Sequence, residues 1–246
     1  MLGARNGAWA KSGYTAKDYV QDGLIFRFDG IENENYGLHN GSLDRWCDLS
    51  GNGNDAHKVD GVSIGNPIWT DDAFTGDRRE RVLEIGNVFE GLDEFTIQFC
   101  GLDETYSAWF FHSRESNGDT PWRYIQIVSY DARTTGIRAH FGASMTETSL
   151  LPDFITSNFA VVLSHKTVKI YLGGRLYKVM TIGGGYTASD FAWAENWWIG
   201  SAYKWSTSFP MPSKSKIHSI AGYGRSLSDS EIAANYAIDK ARFNLP

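Results

Sequence analysis

Apolar and polar residues alternate with a period of two along most of the chain, in short runs separated by turn-forming residues. Side chains of a β-strand point alternately to its two faces, so this period is typical of half-buried strands. No helix-length segment lies between the runs, which argues against parallel strands joined by helices. The pattern predicts an all-β protein with antiparallel strands at residues 24–28, 82–85, 95–100, 108–112, 124–130, 137–141, 159–164, 167–172 and 176–181.

The last three of these predicted strands are separated by very short connections, at residues 164–166 and 173–175. Short connections of this kind form the hairpins that join neighbouring antiparallel strands. Residues 159–181 therefore predict a three-stranded meander.

A strong helix signal begins near the C-terminus. Ser228 and Glu231 have the spacing of a capping box, flanked by Leu227 and Ile232 as a hydrophobic staple. Further along, an apolar stripe continues at helical spacing. The stripe predicts a short helix that lies across the edge of a sandwich, with an apolar face made of Ile232, Tyr236 and Phe243.

A second capping box lies near the N-terminus, from Thr15 to Asp18, and Gly23 has the properties of a helix end. These residues predict a short helix that leads into the first strand. We therefore divide the chain into an N-terminal arm with a short helix, residues 1–21, and one domain, residues 22–246, that includes the C-terminal helix.

Composition limits the classes of partner. The 246 residues are 42% hydrophobic and 21% charged, enough for one large core. The formal net charge of -6 has the wrong sign for binding phosphates, which excludes nucleic acid as the partner. The longest apolar runs are too short for membrane insertion, and charged residues interrupt the first 23 residues, so no signal peptide is recognised. Export would need another route or a removed signal.

The two cysteines, Cys47 and Cys100, allow at most one disulfide and provide no four-ligand zinc site. Cys100 ends a predicted strand, on the face of Thr96 and Gln98, whereas Cys47 follows Trp46. We expect two free thiols rather than a bridge.

Several segments together resemble the laminin-G-like, concanavalin A-like jelly-roll family, in the order that family has. The opening strands are similar at residues 22–29, 46–55 and 95–99, and a hairpin with a small-residue turn follows at 168–174. Residues 198–200 resemble the late Ile-Gly strand of the family, and 217–220 with 225–228 its final strand and closing helix. The resemblance covers roughly residues 22–243. It implies a two-sheet antiparallel jelly-roll sandwich with short N- and C-terminal helices, whereas function follows far less from fold.

The segment that contains Asp48, Asn52, Asn54 and Asp55 has two interpretations. Its glycines and asparagines favour a tight surface turn, in which the polar side chains bind nearby backbone amides. The same four side chains are hard oxygen donors suited to calcium, which some members of the resembled family bind. Many of those members have an acidic residue where this chain has His218. The turn is the favoured interpretation, and calcium is the single cofactor that the sequence suggests.

No catalytic site is expected. Retaining glucanases of this fold carry two carboxylates at alternating positions of one strand, and no such run is present. Glu32 and Glu34 lie in an Asn- and Gly-rich loop and are expected to be solvated. The six histidines are scattered, without a zinc-type pair. We therefore expect a non-enzymatic protein, with dispersed catalytic residues as the alternative.

Aromatic residues make up 14% of the chain, more than a core of this size requires. Flat aromatic rings suit sugars, because sugar C–H groups stack on them while polar neighbours bind the hydroxyls. In the segment around Trp197, strand alternation places Trp198 on the opposite face from Trp197 and Ile199, which makes Trp198 a candidate platform. The predicted ligand-binding residues are Trp122, Trp198 and Trp205, with Asp119, Arg123 and Asn196 as hydroxyl partners.

The sequence favours a non-catalytic carbohydrate-binding or adhesion module, displayed outside a cell, on a cell surface or on a virus particle. Its expected partner is a glycan or surface polysaccharide. The first alternative is a structural decoration or fibre subunit, in which exposed aromatics make the contacts of a homo-oligomer or larger assembly. The second alternative is a glycoside hydrolase with a dispersed site.

Overall fold

A computed structural model describes residues 13–59, 67–75, 83–102, 109–113, 126–128, 136–141, 145–150, 156–182, 185, 187–192, 196–200 and 216–245. In the strands between residues 102 and 157 it describes the backbone alone. The secondary-structure elements of these residues are β1 Leu24–Asp29, β2 His57–Lys58, β3 Ile68–Trp69, β4 Phe74–Thr75, β5 Leu83–Gly86, β6 Glu94–Leu102, β7 Trp109–Ser113, β8 Gln126–Val128, β9 Gly136–Phe141, β10 Met145–Leu150, β11 Thr156–Ser164, β12 Thr167–Leu172, β13 Arg175–Thr181, α1 Ala188–Phe191, β14 Asn196–Ile199, β15 Lys216–Tyr223 and α2 Asp229–Phe243.

Two antiparallel sheets form a sandwich, which confirms the predicted all-β, jelly-roll-like fold. The eight-stranded sheet has the order β13-β12-β11-β6-β15-β4-β3, and β1 also pairs with β15. The five-stranded sheet has the order β2-β5-β14-β7-β8, and β9 pairs with β10 in a separate hairpin. The predicted meander is confirmed, because β11, β12 and β13 are consecutive antiparallel neighbours.

The hydrophobic core lies between the two sheets and is rich in aromatic rings. Trp46 is at its centre, with ring centroids 5.4 Å from Phe28, 5.1 Å from Trp69 and 5.7 Å from Phe74. Such tilted and edge-on ring pairs stabilise a core beyond the area that they bury. Much of the aromatic excess noted in the sequence is therefore used inside the sandwich.

Both cysteines are buried and unbonded to each other, as the sequence predicted. Cys100 packs on the outer side of the eight-stranded sheet, beside Ile31 and Phe243. Burial raises the pKa of the Cys100 thiol well above its ordinary value, because the thiolate would lose its hydration. Burial therefore favours the protonated form of this thiol.

The C-terminal helix α2 begins at the predicted capping box. Ser228 accepts a hydrogen bond from the Glu231 amide, and Glu231 accepts one in return from the Ser228 amide at 2.8 Å. Leu227 and Ile232 are buried in one cluster, as expected for a staple. The helix runs for 15 residues and covers the outer face of the eight-stranded sheet. Its buried face differs from the predicted apolar stripe, because it also carries Asn235, Asp239 and Arg242.

The helix predicted near the N-terminus is wrong, because residues 16–23 form turns. The local signal is nevertheless used, since the Thr15 amide and hydroxyl donate to the Asp18 carboxylate at 2.6 and 2.9 Å. The backbone amides of Ala16 and Val20 donate to the side chains of Glu32 and Asn235 at 2.6 and 2.9 Å. A helix would pair the Val20 amide with the Ala16 carbonyl, whereas here the distant Asn235 side chain accepts from it, so tertiary contacts override the capping box.

Gly222 in β15 is required by the close approach of β1. A Cβ atom at this position would lie 2.2 Å from the Phe26 ring. Because this ring is buried in the core, it has little room to move. We expect Gly222→Ala to lower the free energy of unfolding by about 1–3 kcal/mol, as other overpacked cores do.

Urea unfolding of the purified variant measures this loss. The matched control is Gly41→Ala, since no heavy atom lies within 4 Å of a Cβ built there and the position is exposed. Equal stability of the two variants would show that β1 and β15 are further apart than described.

Candidate functional site

The five-stranded sheet presents one face to the core and one face away from it. Trp197 and Ile199 of β14 belong to the core, together with Leu83 and Ile85 of β5. Trp198 lies between the two core residues of β14 and outside that cluster, so its side chain is on the outer face. This arrangement confirms the alternation predicted for the tryptophan pair.

Trp198 is more enclosed than a stacking platform. Only 6% of its surface is exposed. Its indole N–H donates to Glu84 Oε2 at 3.0 Å, so the ring fixes a carboxylate on the same face. A sugar could stack on this ring only after its neighbours moved. The role of Trp198 as a ligand-contacting residue stays a prediction.

The strand register brings several polar positions of the outer face together. Glu84 of β5 is opposite His57 of β2 on one side and opposite Trp198 of β14 on the other. The row continues to residue 112 of β7 and residue 126 of β8. One residue row further along, Asn196 is opposite Gly86. Positions opposite each other in antiparallel strands share a face, so these residues form one surface.

Gly86 leaves an opening in this surface. It is exposed, and no heavy atom lies within 4 Å of the place where a Cβ would be. Glu84 and Asn196, its neighbours on the outer face, are both half-buried. We call the surface formed by Glu84, Gly86, Asn196 and Trp198 the β5–β14 shelf. The sequence predicted Asn196 and Trp198, but it gave no signal for Glu84 and Gly86, because the pairing of β5 with β14 joins residues more than a hundred positions apart.

The other predicted ligand-binding residues lie outside the described part of the chain. These residues are Asp119, Trp122, Arg123 and Trp205. Their roles stay predictions.

The loop proposed for calcium is organised by hydrogen bonds to its own protein. Asp48 Oδ1 accepts from the amides of Arg27 and Ser50, each at 2.9 Å. Its Oδ2 accepts from the Ser50 hydroxyl at 2.7 Å and from the Asn54 amide at 3.0 Å. Both carboxylate oxygens therefore already have two donors each.

The three other side chains of this set also bind the protein. The Asn52 and Asn54 amide groups donate to the Ile25 carbonyl, each at 2.9 Å. Asp55 Oδ1 accepts from the Asp48 amide at 2.8 Å, and its Oδ2 pairs with Arg45 at 3.3 Å. Within the described residues, no group of three or more His, Cys, Asp or Glu side chains is arranged to hold a metal ion. These contacts fit the structural turn better than a calcium site, which stays a hypothesis.

A layer of buried charges lies beneath α2, on the outer side of the eight-stranded sheet. Arg242 donates to both Asp29 oxygens, at 2.6 and 3.1 Å, and to Glu32 at 3.0 Å. Glu32 also accepts from the amides of Ala16 and Gly37. The expectation that Glu32 is solvated is wrong, since only 1% of its surface is exposed. Its partners are distant in sequence, so the local loop composition did not reveal them.

Arg27 is the second arginine of this layer. Its guanidinium lies 3.1 Å from the centre of the Tyr19 ring and 3.5 Å from Asp29 Oδ2. The Tyr19 hydroxyl in turn donates to Asp239 Oδ1 at 2.7 Å. Through these contacts Tyr19 attaches the residues before β1 to Arg27 of β1 and to Asp239 of α2.

The layer contains two guanidinium groups but three carboxyl groups, those of Asp29, Glu32 and Asp239. Burial raises the pKa of Asp239 to about 6, although Arg27 and Arg242 act in the opposite direction. For Asp29 the opposite result holds, because the two arginines outweigh burial and keep its pKa below the ordinary value. Asp239 therefore takes up a proton at a higher pH than Asp29 does.

No protein-family model matches the chain, and no curated protein matches it by sequence. Solved structures do share its fold. Trypanosoma rangeli sialidase in complex with sialic acid is 15% identical, with a TM-score of 0.60 over 89% of this chain and 33% of the sialidase. Domain 4 of AbnA, a GH43 extracellular arabinanase from Geobacillus stearothermophilus, in complex with arabinotriose, is 15% identical, with a TM-score of 0.55 over 87% of this chain and 98% of that domain.

The binding domain of botulinum neurotoxin DC in complex with SialylT is 11% identical, with a TM-score of 0.55 over 89% of this chain and 51% of that one. The chain thus spans about a third of the sialidase and nearly all of the arabinanase domain. At these identities the likeness shows the fold, a β-sandwich, and not the function. The laminin-G-like family stays a resemblance, because no family model supports it.

The raised pKa of Asp239 predicts that the free energy of unfolding depends on pH. Its pKa in the folded protein is above the ordinary value of 3.8, so the folded state holds a proton that the unfolded state releases. This contribution is complete at low pH and is lost as the pH rises from about 4 to about 7, with a total of about 3 kcal/mol. Asp239→Asn, which is always neutral, should not lose it.

The measurement is urea unfolding of both proteins across this pH range. Carboxylates with lowered pKa values, such as Asp18 and Glu231, give the opposite slope in both proteins and cancel in the difference. The variant should therefore gain stability relative to the natural chain as the pH rises. Parallel profiles would contradict the proton on Asp239.

We expect that replacing Asp48 destabilises the fold and that calcium does not reverse this loss. Asp48→Ala removes the acceptor of three backbone amides, which should cost about 2–4 kcal/mol. Asp44→Ala, at an exposed position of the same region, is the matched control and should change little. Thermal unfolding in calcium and in chelator should give the same Tm for the natural chain. A calcium-dependent rise in Tm, accompanied by binding heat and absent from Asp48→Ala, would establish the metal site instead.

Proposed function

We propose that this protein is a non-catalytic carbohydrate-binding or adhesion module, displayed on a cell surface or a virus particle. The observation that carries the proposal is the extent of the structural match. The chain covers 98% of an arabinanase domain seen in complex with arabinotriose, but only 33% of a sialidase. The match therefore spans nearly all of a domain that was solved with a bound sugar, and about a third of the sialidase.

The β5–β14 shelf supports this proposal chemically. Asn196 offers both a donor and an acceptor for sugar hydroxyls, and Glu84 offers acceptors. The Trp198 indole holds Glu84 in place at 3.0 Å, so the carboxylate need not be ordered on binding. The open space at Gly86 lets a ring approach these groups closely.

The position of the carboxylates supports a binding rather than a catalytic role. Glycosidases place two carboxyl groups on either side of the scissile bond. Among the described residues, the outer face of the five-stranded sheet carries one, Glu84. Asp29 and Glu32 are buried, and both form ion pairs with Arg242.

None of the helices in the described ranges is long and apolar enough to cross a membrane. The arabinanase whose domain 4 resembles the chain is itself extracellular. The location of that arabinanase supports display outside a cell, and the choice between a cell surface and a virus particle belongs to the proposal.

A second candidate function is that of a decoration or fibre subunit. Strand β13 is at one edge of the eight-stranded sheet. Leu176, Tyr177 and Val179 on this strand are 45%, 49% and 54% exposed. Exposed apolar residues on an edge strand favour contact with another chain. This observation keeps an assembly role open beside glycan binding.

Glycan-array binding by the full chain tests the proposed function. We expect binding of at least one class of oligosaccharide, with a Kd of about 10 μM to 1 mM for the isolated module. Sugar release from the bound glycans should be undetectable, and turnover would favour the dispersed-site hydrolase instead. An empty array, together with a concentration-independent oligomer by light scattering that Val179→Lys dissociates, would favour the assembly role.

A further inference from the structure

We infer that the sugar binds on the β5–β14 shelf, with one ring over Gly86, and that this sugar is neutral. The inference rests on the proposed function, because it names the place and the ligand class of the same activity. It follows from the shape, the hydrogen-bonding groups and the charge of this surface.

The shape of the shelf is set by a missing side chain. Gly86 ends β5, is exposed and has no heavy atom within 4 Å of a Cβ position. Glu84 precedes it by two residues on the same face, and Asn196 is directly opposite. A sugar ring placed over Gly86 therefore lies between a carboxylate and an amide, which are spaced by the strand geometry.

The polar groups of the shelf are already arranged. The Trp198 N–H donates to Glu84 Oε2, which restricts the carboxylate to one orientation. A group that is ordered before binding loses less conformational entropy when the ligand arrives. Trp198 therefore acts as a positioning residue in this site. Its low exposure of 6% agrees with this role and not with stacking.

The charge of the shelf selects against anionic sugars. Glu84 is the one carboxylate on the described outer face of this sheet, and His57 is opposite it in the strand register. The described residues of that face include no Arg or Lys, which commonly bind the carboxylate of an acidic sugar. The net charge of -6 adds a weaker repulsion. A neutral saccharide avoids both costs.

A steric variant at Gly86 tests the location. Gly86→Tyr fills the open space without a contact to the core. The matched control is Gly41→Tyr, since Gly41 is also exposed and also has open space at its Cβ position. Both variants should keep the Tm of the natural chain, which shows that any loss of binding is local.

The probes are an array of neutral and sialylated oligosaccharides that includes arabinotriose, cellotriose and sialyllactose, followed by calorimetry on the glycans bound. We expect neutral glycans alone to bind. Gly86→Tyr should weaken them by about tenfold or more, the equivalent of about 1.4 kcal/mol, while Gly41→Tyr binds as the natural chain does. Asn196→Ala should weaken binding by about fivefold, because a single hydrogen bond is lost.

The remaining outcomes overturn different statements. Undiminished neutral-glycan binding by Gly86→Tyr would overturn the shelf and leave the proposed function intact. Binding of sialylated glycans alone would overturn the neutral ligand class. The absence of binding to every glycan, by a natural chain that is folded, would overturn the shelf and the proposed function together.

Discussion

The pairing of Arg242 with Asp29 is the interaction on which the attachment of the outer layer depends. Both groups are fully buried, and Arg242 reaches both carboxylate oxygens. The Asp29 carbonyl also accepts from the Trp46 indole at 3.0 Å, so one residue joins α2, β1 and the aromatic core. A buried ion pair contributes little over an apolar pair, but loss of one partner leaves a buried charge and costs about 3–5 kcal/mol. The pairing thus fixes where α2 lies more than it adds to stability.

The turn after Trp46 binds β1 at one end and leads into β2 of the five-stranded sheet at the other. Asp48 accepts from the Arg27 amide of β1, and Asp55 accepts from the Asp48 amide. The chain then pairs Ala56 with Trp46 and enters β2, where His57 is placed opposite Glu84. A turn that resembles a metal loop in composition therefore has a structural use, since it carries the chain from one sheet to the other in a defined register.

The sequence predicted those features that depend on neighbours in the chain. Alternation located most strands, and the capping box at Ser228 located α2, because both signals are local. The same box at Thr15 failed, since the distant Asn235 side chain binds the Val20 amide that a helix would pair internally. The buried Asp239 and Arg242 were not predicted, because periodicity reports polarity and not partners some two hundred residues away. Two of the four residues of the β5–β14 shelf, Glu84 and Gly86, were not predicted for the same reason. Gly86 comes to lie beside Asn196 only because β14 pairs with β5.

The two sheets of the sandwich use their outer faces differently. The outer face of the eight-stranded sheet carries α2 and the segment around Tyr19, and its polar groups, such as Gln98 and Asn158, are bound by that layer. Each of these two side chains thus has one hydrogen bond to α2, while Gln98 Nε2 and Asn158 Oδ1 have no partner among the described residues. On the outer face of the five-stranded sheet, His57 and Gly86 are exposed, and Glu84 and Asn196 are half-buried. Trp197 and Ile199 pack in the core beneath this face and hold the backbone of β14 in place. The side chains on the outer face retain access to solvent. A rigid strand pair with accessible polar groups is the arrangement that binding a hydroxyl-rich ligand requires, because little order remains to be gained when the ligand arrives.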